Sequence, residues 1–233
     1  MGVVARMCDR IQVMRHGSYV EAGETDRIFA KPQQGYTRTL LDAMPRLDKP
    51  RSLKPTPTGV PRGLLIDAQH VKVQFPISRG FFSKPTQLKA VDDVSFTLKH
   101  GETLGIVGES GSGKSTLARA ILRLLPKSEG VISWIGKDLN AIDQGRMNEL
   151  RRDMQIVFQD PLASLNPSMT IGTSIAEPLR IFEPSMGAKE RRETVEAVMG
   201  RVGLSEGMVS RYPHELSGGV DQRVGIAGAI IAR

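Results

Sequence analysis

Residues 108–116 read Gly-Glu-Ser-Gly-Ser-Gly-Lys-Ser-Thr, a set of residue types suited to holding a chain of phosphates. Gly108, Gly113, Lys114 and Ser115 fit the pattern G-x-x-x-x-G-K-[ST]. Glycines, Gly111 included, let the backbone curl so that successive N–H groups point inward at phosphate oxygens. Glu109, Ser110, Ser112 and Thr116 belong to the same cradle. A lysine at Lys114 reaches the β and γ phosphates, and a hydroxyl at Ser115 ligates Mg²⁺. The competing reading is a Gly/Ser-rich turn between a strand and a helix. Agreement over eight positions, with the required flanks, favours a nucleoside triphosphate site.

Those flanks decide whether the cradle can form. "TLGIVG" (103–108) has the apolar composition of a short buried strand. The following "KSTLARAILRLL" sets Leu117, Ala120, Ile121, Leu124 and Leu125 on one helical face, with Pro126 ending the run. The helix start adds partial positive charge where the phosphates would sit. Further strands are expected at 64–75, 90–102, "GVISWIGKDL" and "MQIVFQD", and an amphipathic helix over 185–204. Strands interleaved with helices predict an α/β layer structure. Upstream, 11–22 reads as two short strands around His16-Gly17-Ser18, Thr25 as the cap of a helical turn over 25–30, and Tyr36, Leu40 and Leu41 as one helical face ending at Pro45. The proline-rich stretch 46–63 disfavours both helix and central strand and reads as an extended linker.

Two later stretches bear on which chemistry uses the phosphates. "QIVFQDPLASLNP" (155–167) puts Gln159 directly after a strand, and "LSGG" (216–219) places Ser217, Gly218 and Gly219 at the start of a final helix. Alone, Gln159 is equally a surface amide and "LSGG" an ordinary helix start.

Composition narrows the alternatives. The chain has 233 residues, with 32 Lys+Arg against 25 Asp+Glu and a net charge of +7. Its basic residues occur as scattered pairs, with no basic stripe interleaved with aromatics, so nucleic-acid binding is not expected. The single cysteine, Cys8, precludes an intrachain disulfide and fits a reducing compartment. No apolar run reaches the ~20 residues needed to cross a bilayer, so any membrane role is expected to be peripheral.

In order and spacing, "GESGSGKST", the loop at Gln159 and "LSGG" together resemble the ATP-binding-cassette (ABC) ATPases, across residues 64–233. The resemblance implies a P-loop α/β core with an antiparallel β region and a helical subdomain, here truncated after the signature helix. It assigns Lys114 and Gln159 to the catalytic machinery, Ser115 and Gln159 to Mg²⁺, and residues 108–116 to ATP. It puts Phe75 where the family stacks an aromatic on adenine, although core packing is the competing reading. It also implies that Ser217, Gly218 and Gly219 close over the γ-phosphate of ATP held by a second ABC domain. "AVDDVSFTL", "IVFQDPLASLNP" and "RIFAKPQQGYTRTLLDAMP" (27–45) are similar to the ATPase subunits of peptide importers of the dipeptide, oligopeptide and microcin type. The implied partners are transmembrane permease subunits, and the implied location is the cytoplasmic face of the inner membrane. Residues 1–45 resemble the back end of one ABC domain and 64–233 the front of a second, so the expected parent is a tandem protein.

The sequence departs from the family in two respects. Its Mg²⁺-holding and water-polarising Asp-Glu pair occurs nowhere in these residues, and none of His16, His70, His100 and His214 has the context of its switch histidine. These residues are therefore expected to bind ATP weakly and hydrolyse it poorly or not at all. After "LSGG", Val220, Asp221, Gly225 and Gly228 stand where the family prefers other residues, which puts the signature function in question. Two alternatives stay open: a nucleotide-binding fragment that neither hydrolyses nor transports, and a soluble ABC ATPase.

Overall fold

The computed structural model describes residues 2–44, 63–77, 86–127, 129–160, 164–216 and 218–232. It divides into two compact units, residues 1–57 and 58–233. The expected linker at 46–63 lies, except for Gly63, outside the described residues, and so does Ser217.

In the first unit, helix α1 (Gly2–Met7) precedes strands β1 (Arg10–Arg15) and β2 (Ser18–Glu24), which pair antiparallel. His16 and Gly17 both take positive φ (48° and 77°), the backbone of a two-residue turn whose twist matches the strands it joins. Alternation along β1 buries Ile11 and Val13 and leaves their neighbours exposed. Helix α2 (Thr25–Ala30) adds Ile28 to that small core, and α3 (Gly35–Asp42) adds Leu40. The expected cap is not made. The N-cap of α2 is Glu24, without a side-chain bond, and the Thr25 hydroxyl instead donates to the Cys8 carbonyl. Glu21, 8% exposed, accepts from the amides of Gln33 (2.8 Å) and Gln34 (3.0 Å) and so ties β2 to the approach to α3.

The second unit is built on a four-stranded antiparallel sheet in the order β4-β3-β5-β6. Strands β3 (Leu64–Ile77) and β4 (Thr86–Lys99) form its long hairpin arms, and β5 (Glu129–Trp134) and β6 (Lys137–Asp138) a short second hairpin. Where one strand was expected over "GVISWIGKDL", Ile135 (φ 48°) and Gly136 (φ 74°) fold the chain back. Ala68, Val71, Val73, Val91 and Ile132 meet Leu117, Ala120 and Ile121 of α4 (Lys114–Ile121) and Met147 of α5 (Gln144–Leu150) in one core. A separate lobe packs α6 (Ile171–Phe182), α7 (Ala188–Arg201) and α8 (Gly218–Ile230) around Ile171, Ile175, Leu179, Met199, Val224 and Ala227.

Two expected strands are not formed. Residues 102–109 and 154–158 carry no ladder among the described residues, and Leu104, Ile106, Val107, Val157 and Phe158 are exposed. Apolar composition favours a strand only where a neighbouring strand can pair with it, and the sheet does not extend to either segment. Helix α4 also stops at Ile121, short of Leu124 and Leu125. Arg123 takes φ 53°, and its guanidinium donates to the carbonyls of Leu139 (2.7 Å) and Ile142 (2.8 Å).

Candidate nucleotide site

The phosphate loop opens directly into α4. Gly113 caps the helix in the left-handed region at φ 90°, and a Cβ there would lie 2.1 Å from the Ala90 carbonyl oxygen. Only glycine fits a position with both constraints. Gly111, at φ 81°, makes a second left-handed turn in open space. The Ser112 amide donates to the Glu109 carbonyl (3.2 Å) and the Leu117 amide to the Gly113 carbonyl (2.8 Å), so a tight turn runs into the first helical bond. No acidic side chain occupies the first turn of α4, and its N–H groups have no side-chain cap. A helix start of this kind favours an anion.

Lys114 folds back over the loop. Its Nζ donates to the carbonyls of Gly108 (2.9 Å) and Glu109 (2.6 Å) and to the Ser112 hydroxyl (3.1 Å). The ammonium is thus centred on the concavity that the loop encloses.

Beside the loop lies a cavity of about 670 Å³ lined by Ser115, Ala118 and Arg119 of α4 and by residues 156–160 and Ser164. Ser115 and Gln159, 44 positions apart, therefore share one cavity. The Arg119 guanidinium lies 6.0 Å from the Phe158 ring centroid, which links the two walls. Asp160 lines the cavity as well, a carboxylate the sequence reading did not single out, although its place next to Gln159 was a usable signal. Among the described residues no group of three His, Cys, Asp or Glu side chains could hold a metal. A hydroxyl and a side-chain amide oxygen are nevertheless hard oxygen donors of the sort Mg²⁺ takes when phosphates and water complete its shell, so this donor set fits it.

Phe75 is half-buried, pairs with Leu88 across the β3–β4 ladder and packs against the sheet core. It does not line the cavity. Gly218 and Gly219 begin α8 with open space on both Cα atoms, and the turn before them is held by the Tyr212 amide donating to Glu215 Oε2 (2.7 Å). Neither glycine lines the cavity beside the phosphate loop. Further along α8, Asp221 is 2% exposed, its Oδ1 has no partner among the described residues, and burial pushes its carboxyl pKa up.

Residues 91–233 match the family "ABC transporter", and residues 20–66 match "Oligopeptide/dipeptide transporter, C-terminal region". The oligopeptide transport ATP-binding protein OppF of Haemophilus influenzae is 56% identical over 171 residues, which cover 72% of this chain and 52% of that protein. The peptidoglycan transport ATP-binding protein YejF of Agrobacterium fabrum is 42% identical over 234 residues, covering 100% of this chain and 42% of that protein. The chain thus spans about half the length of the curated relatives it matches. Among solved structures, a dimeric ATP-binding cassette in a post-hydrolysis state bound to ADP and Pi superposes with a TM-score of 0.63 at 28% identity, over 72% of this chain and 69% of that one.

Proposed function

Because the chain belongs to the ABC transporter family, we propose that residues 64–233 bind Mg²⁺ and ATP as part of the energy-coupling subunit of an importer of peptides or similar solutes. The observation that carries the reading is the convergence of Ser115 and Gln159 on one cavity beside a loop whose lysine already points inward. In this reading the amides of residues 109–115 and the Lys114 ammonium hold the β and γ phosphates. The Ser115 hydroxyl and the Gln159 amide oxygen hold Mg²⁺, which spreads the phosphate charge. Arg119 and Phe158 shape the wall on which Gln159 is presented. Phe75, only partly buried near the end of β3 and outside this cavity, is the position this reading gives to adenine stacking.

The signature Ser217, Gly218 and Gly219 act in this reading on nucleotide held by a second ABC domain. Support comes from the separation of Gly218 and Gly219 from their own chain's cavity and from the dimeric state of the solved relative. Residues 1–45 are read as the end of a preceding ABC domain with its peptide-transporter extension. A transporter C-terminal region matched at 20–66, ahead of the ABC match, supports that arrangement. Transmembrane permease subunits complete the proposed assembly, with this chain peripheral on the membrane's cytoplasmic face, and no described helix is long and apolar enough to cross a membrane.

One observation favours a second reading for these 233 residues taken by themselves, nucleotide binding without turnover. They hold no Asp-Glu pair, and in-line attack on a γ-phosphate needs a group that orients the water. Calorimetric titration of the full chain with ATP tests the common core of both readings. Saturable binding that strengthens with Mg²⁺ is expected, with the Mg²⁺ effect reduced in Ser115→Ala and Gln159→Ala. A folded chain that takes up no ATP refutes both. Sustained phosphate release refutes the second alone.

A further inference from the structure

The helical lobe carries a second cavity, independent of the nucleotide site. It has a volume of about 230 Å³ and lies between α6 and α7, under Val209. From α6 come Gly172, Ala176 and Arg180, at the i, i+4, i+8 spacing of one helix face, with Thr173 beside Gly172; from α7 come Ala188, Arg191, Arg192 and Val195, at i, i+3, i+4, i+7 spacing. Three of the lining residues are arginines and none is acidic.

The partners of these arginines leave positive charge uncommitted. Among the described residues, Arg180 makes no hydrogen bond or ion pair, and it is exposed at the rim. Arg191 donates through Nη2 to the Met186 carbonyl (2.7 Å), while its buried Nε has no partner among the described residues. The Arg191 guanidinium is thus only partly satisfied within the fold. Only Arg192 is matched, through Glu196 (2.7 Å).

The rest of the lining indicates what kind of anion fits. The Thr170 and Thr173 hydroxyls bond each other (2.9 Å), and Thr170 Oγ also accepts the Thr173 amide (3.3 Å), so both are engaged in capping α6. The floor is apolar: Gly172, Ala176, Ala188, Val195 and Val209. Gly172 and Val209 close it tightly, for a Cβ on Gly172 would stand 2.8 Å from Val209 Cγ1 and 3.0 Å from the Val209 carbonyl oxygen. A bare inorganic anion would use the guanidinium groups and leave the apolar floor uncovered. A carboxylate on a short apolar stem would use both, since guanidinium forks match carboxylates two bonds at a time.

We propose that the α6–α7 cavity is a carboxylate-binding site that takes an anionic head on a stem of a few carbons, with Arg180 and Arg191 as its ligands. The same chemistry is carried by a free short-chain carboxylic acid and by a glutamate side chain of a protein partner.

The test is amide NMR of the full chain titrated in parallel with butyrate, with a blocked peptide containing a single glutamate, and with butyramide, each at ionic strength matched by sodium chloride. Butyrate or the peptide should shift the amides of Gly172, Thr173, Ala176 and Arg191 saturably. Arg180→Gln, at a side chain that makes no hydrogen bond or ion pair among the described residues, should weaken the binding by about tenfold or more, as loss of one charged ligand does. Arg191→Lys keeps the charge but removes the planar guanidinium fork and should also weaken it. Peptide binding at least tenfold tighter than butyrate identifies a protein partner as the source; equal or weaker peptide binding identifies a free acid. Equal shifts from butyramide or from chloride alone, or identical titrations in Arg180→Gln and the parent chain, overturn the proposal.

Discussion

Replacing Asp221 by alanine should make the protein more stable, which is the opposite of the usual outcome for a buried position. Asp221 lies in α8 with 2% of its surface exposed, and its Oδ1 finds no hydrogen-bond donor among the described residues. Burying a polar oxygen without a partner costs about 1–3 kcal/mol, and alanine is the better helix former by up to ~0.7 kcal/mol. Against these stands the attraction between a carboxylate in the first turn and the helix amides, about 0.3–1 kcal/mol. The net expectation for Asp221→Ala is a gain of about 1–2 kcal/mol near neutral pH. The pH dependence follows from the direction of the shift. Burial raises the folded-state pKa above the ordinary aspartate value, so the native chain keeps a proton that the unfolded chain has already lost. Stability then falls as pH rises through that window and levels off above the folded pKa. Urea unfolding across the pH range should show the variant's advantage greatest near neutrality and shrinking towards acid. An advantage that is absent at neutral pH, or constant at all pH values, would refute this account of Asp221.

Three other expectations rest on single observations. Gly225 and Gly228 lie inside α8, and a Cβ added at either would meet no atom within 4 Å, so alanine at each should add about 1 kcal/mol and both together about 2 kcal/mol by chemical denaturation. Gly113→Ala must place a methyl against the Ala90 carbonyl at a left-handed backbone position; a cost of at least about 1–2 kcal/mol is expected in unfolding experiments, with ATP affinity down by about tenfold or more in calorimetry. The Gln33 amide, followed by other hydrogen-bond donors, holds the Glu21 carboxyl below the ordinary glutamate value. Its stabilisation of the first unit is therefore present above the unfolded pKa and lost as pH falls through the folded one, and thermal melts of Glu21→Gln should be less stable near neutrality and converge with the parent chain in acid.

The parts of this fold that were legible in the sequence are those set by local chemistry. His16-Gly17 forced a hairpin because two successive positive φ values suit few other residues, and the G-x-x-x-x-G-K-S run was recognisable because each of its residues answers to a phosphate. Strands β3 and β4 were visible because Val71, Val73 and Val91 bury on one face by alternation. The misjudged segments all depended on distant partners. "TLGIVG" and "QIVF" have strand composition, but pairing is a property of the neighbour, and the described sheet offers neither segment one. The early end of α4 depends on carbonyls at Leu139 and Ile142 that Arg123 reaches across 16 and 19 residues. The cavity joining Ser115 to Gln159 followed only from the family resemblance, since no local periodicity relates positions so far apart. Arg119 was missed for the same reason, whereas Asp160 could have been found from its place beside Gln159.

Lys114 has two roles in this structure, and they can be separated. All three hydrogen bonds its ammonium can donate are directed at its own loop, to Gly108, Glu109 and Ser112. It therefore braces the turn before any phosphate arrives. Loss of ATP binding in Lys114→Ala would then have two explanations, a collapsed loop or a missing charge. Lys114→Gln distinguishes them, because a side-chain amide can still donate to a loop carbonyl while carrying no charge. Bonds from an ammonium to phosphate are charge-assisted and about twice as strong as neutral ones, so an arriving triphosphate should outcompete the loop's neutral acceptors for Lys114. On that reasoning the charge dominates: Lys114→Gln should lose nearly as much ATP affinity as Lys114→Ala, and the weakening of binding with added salt should be shallower in both than in the parent chain. A glutamine variant that binds ATP as the parent does would show that the lysine serves the loop and not the phosphates.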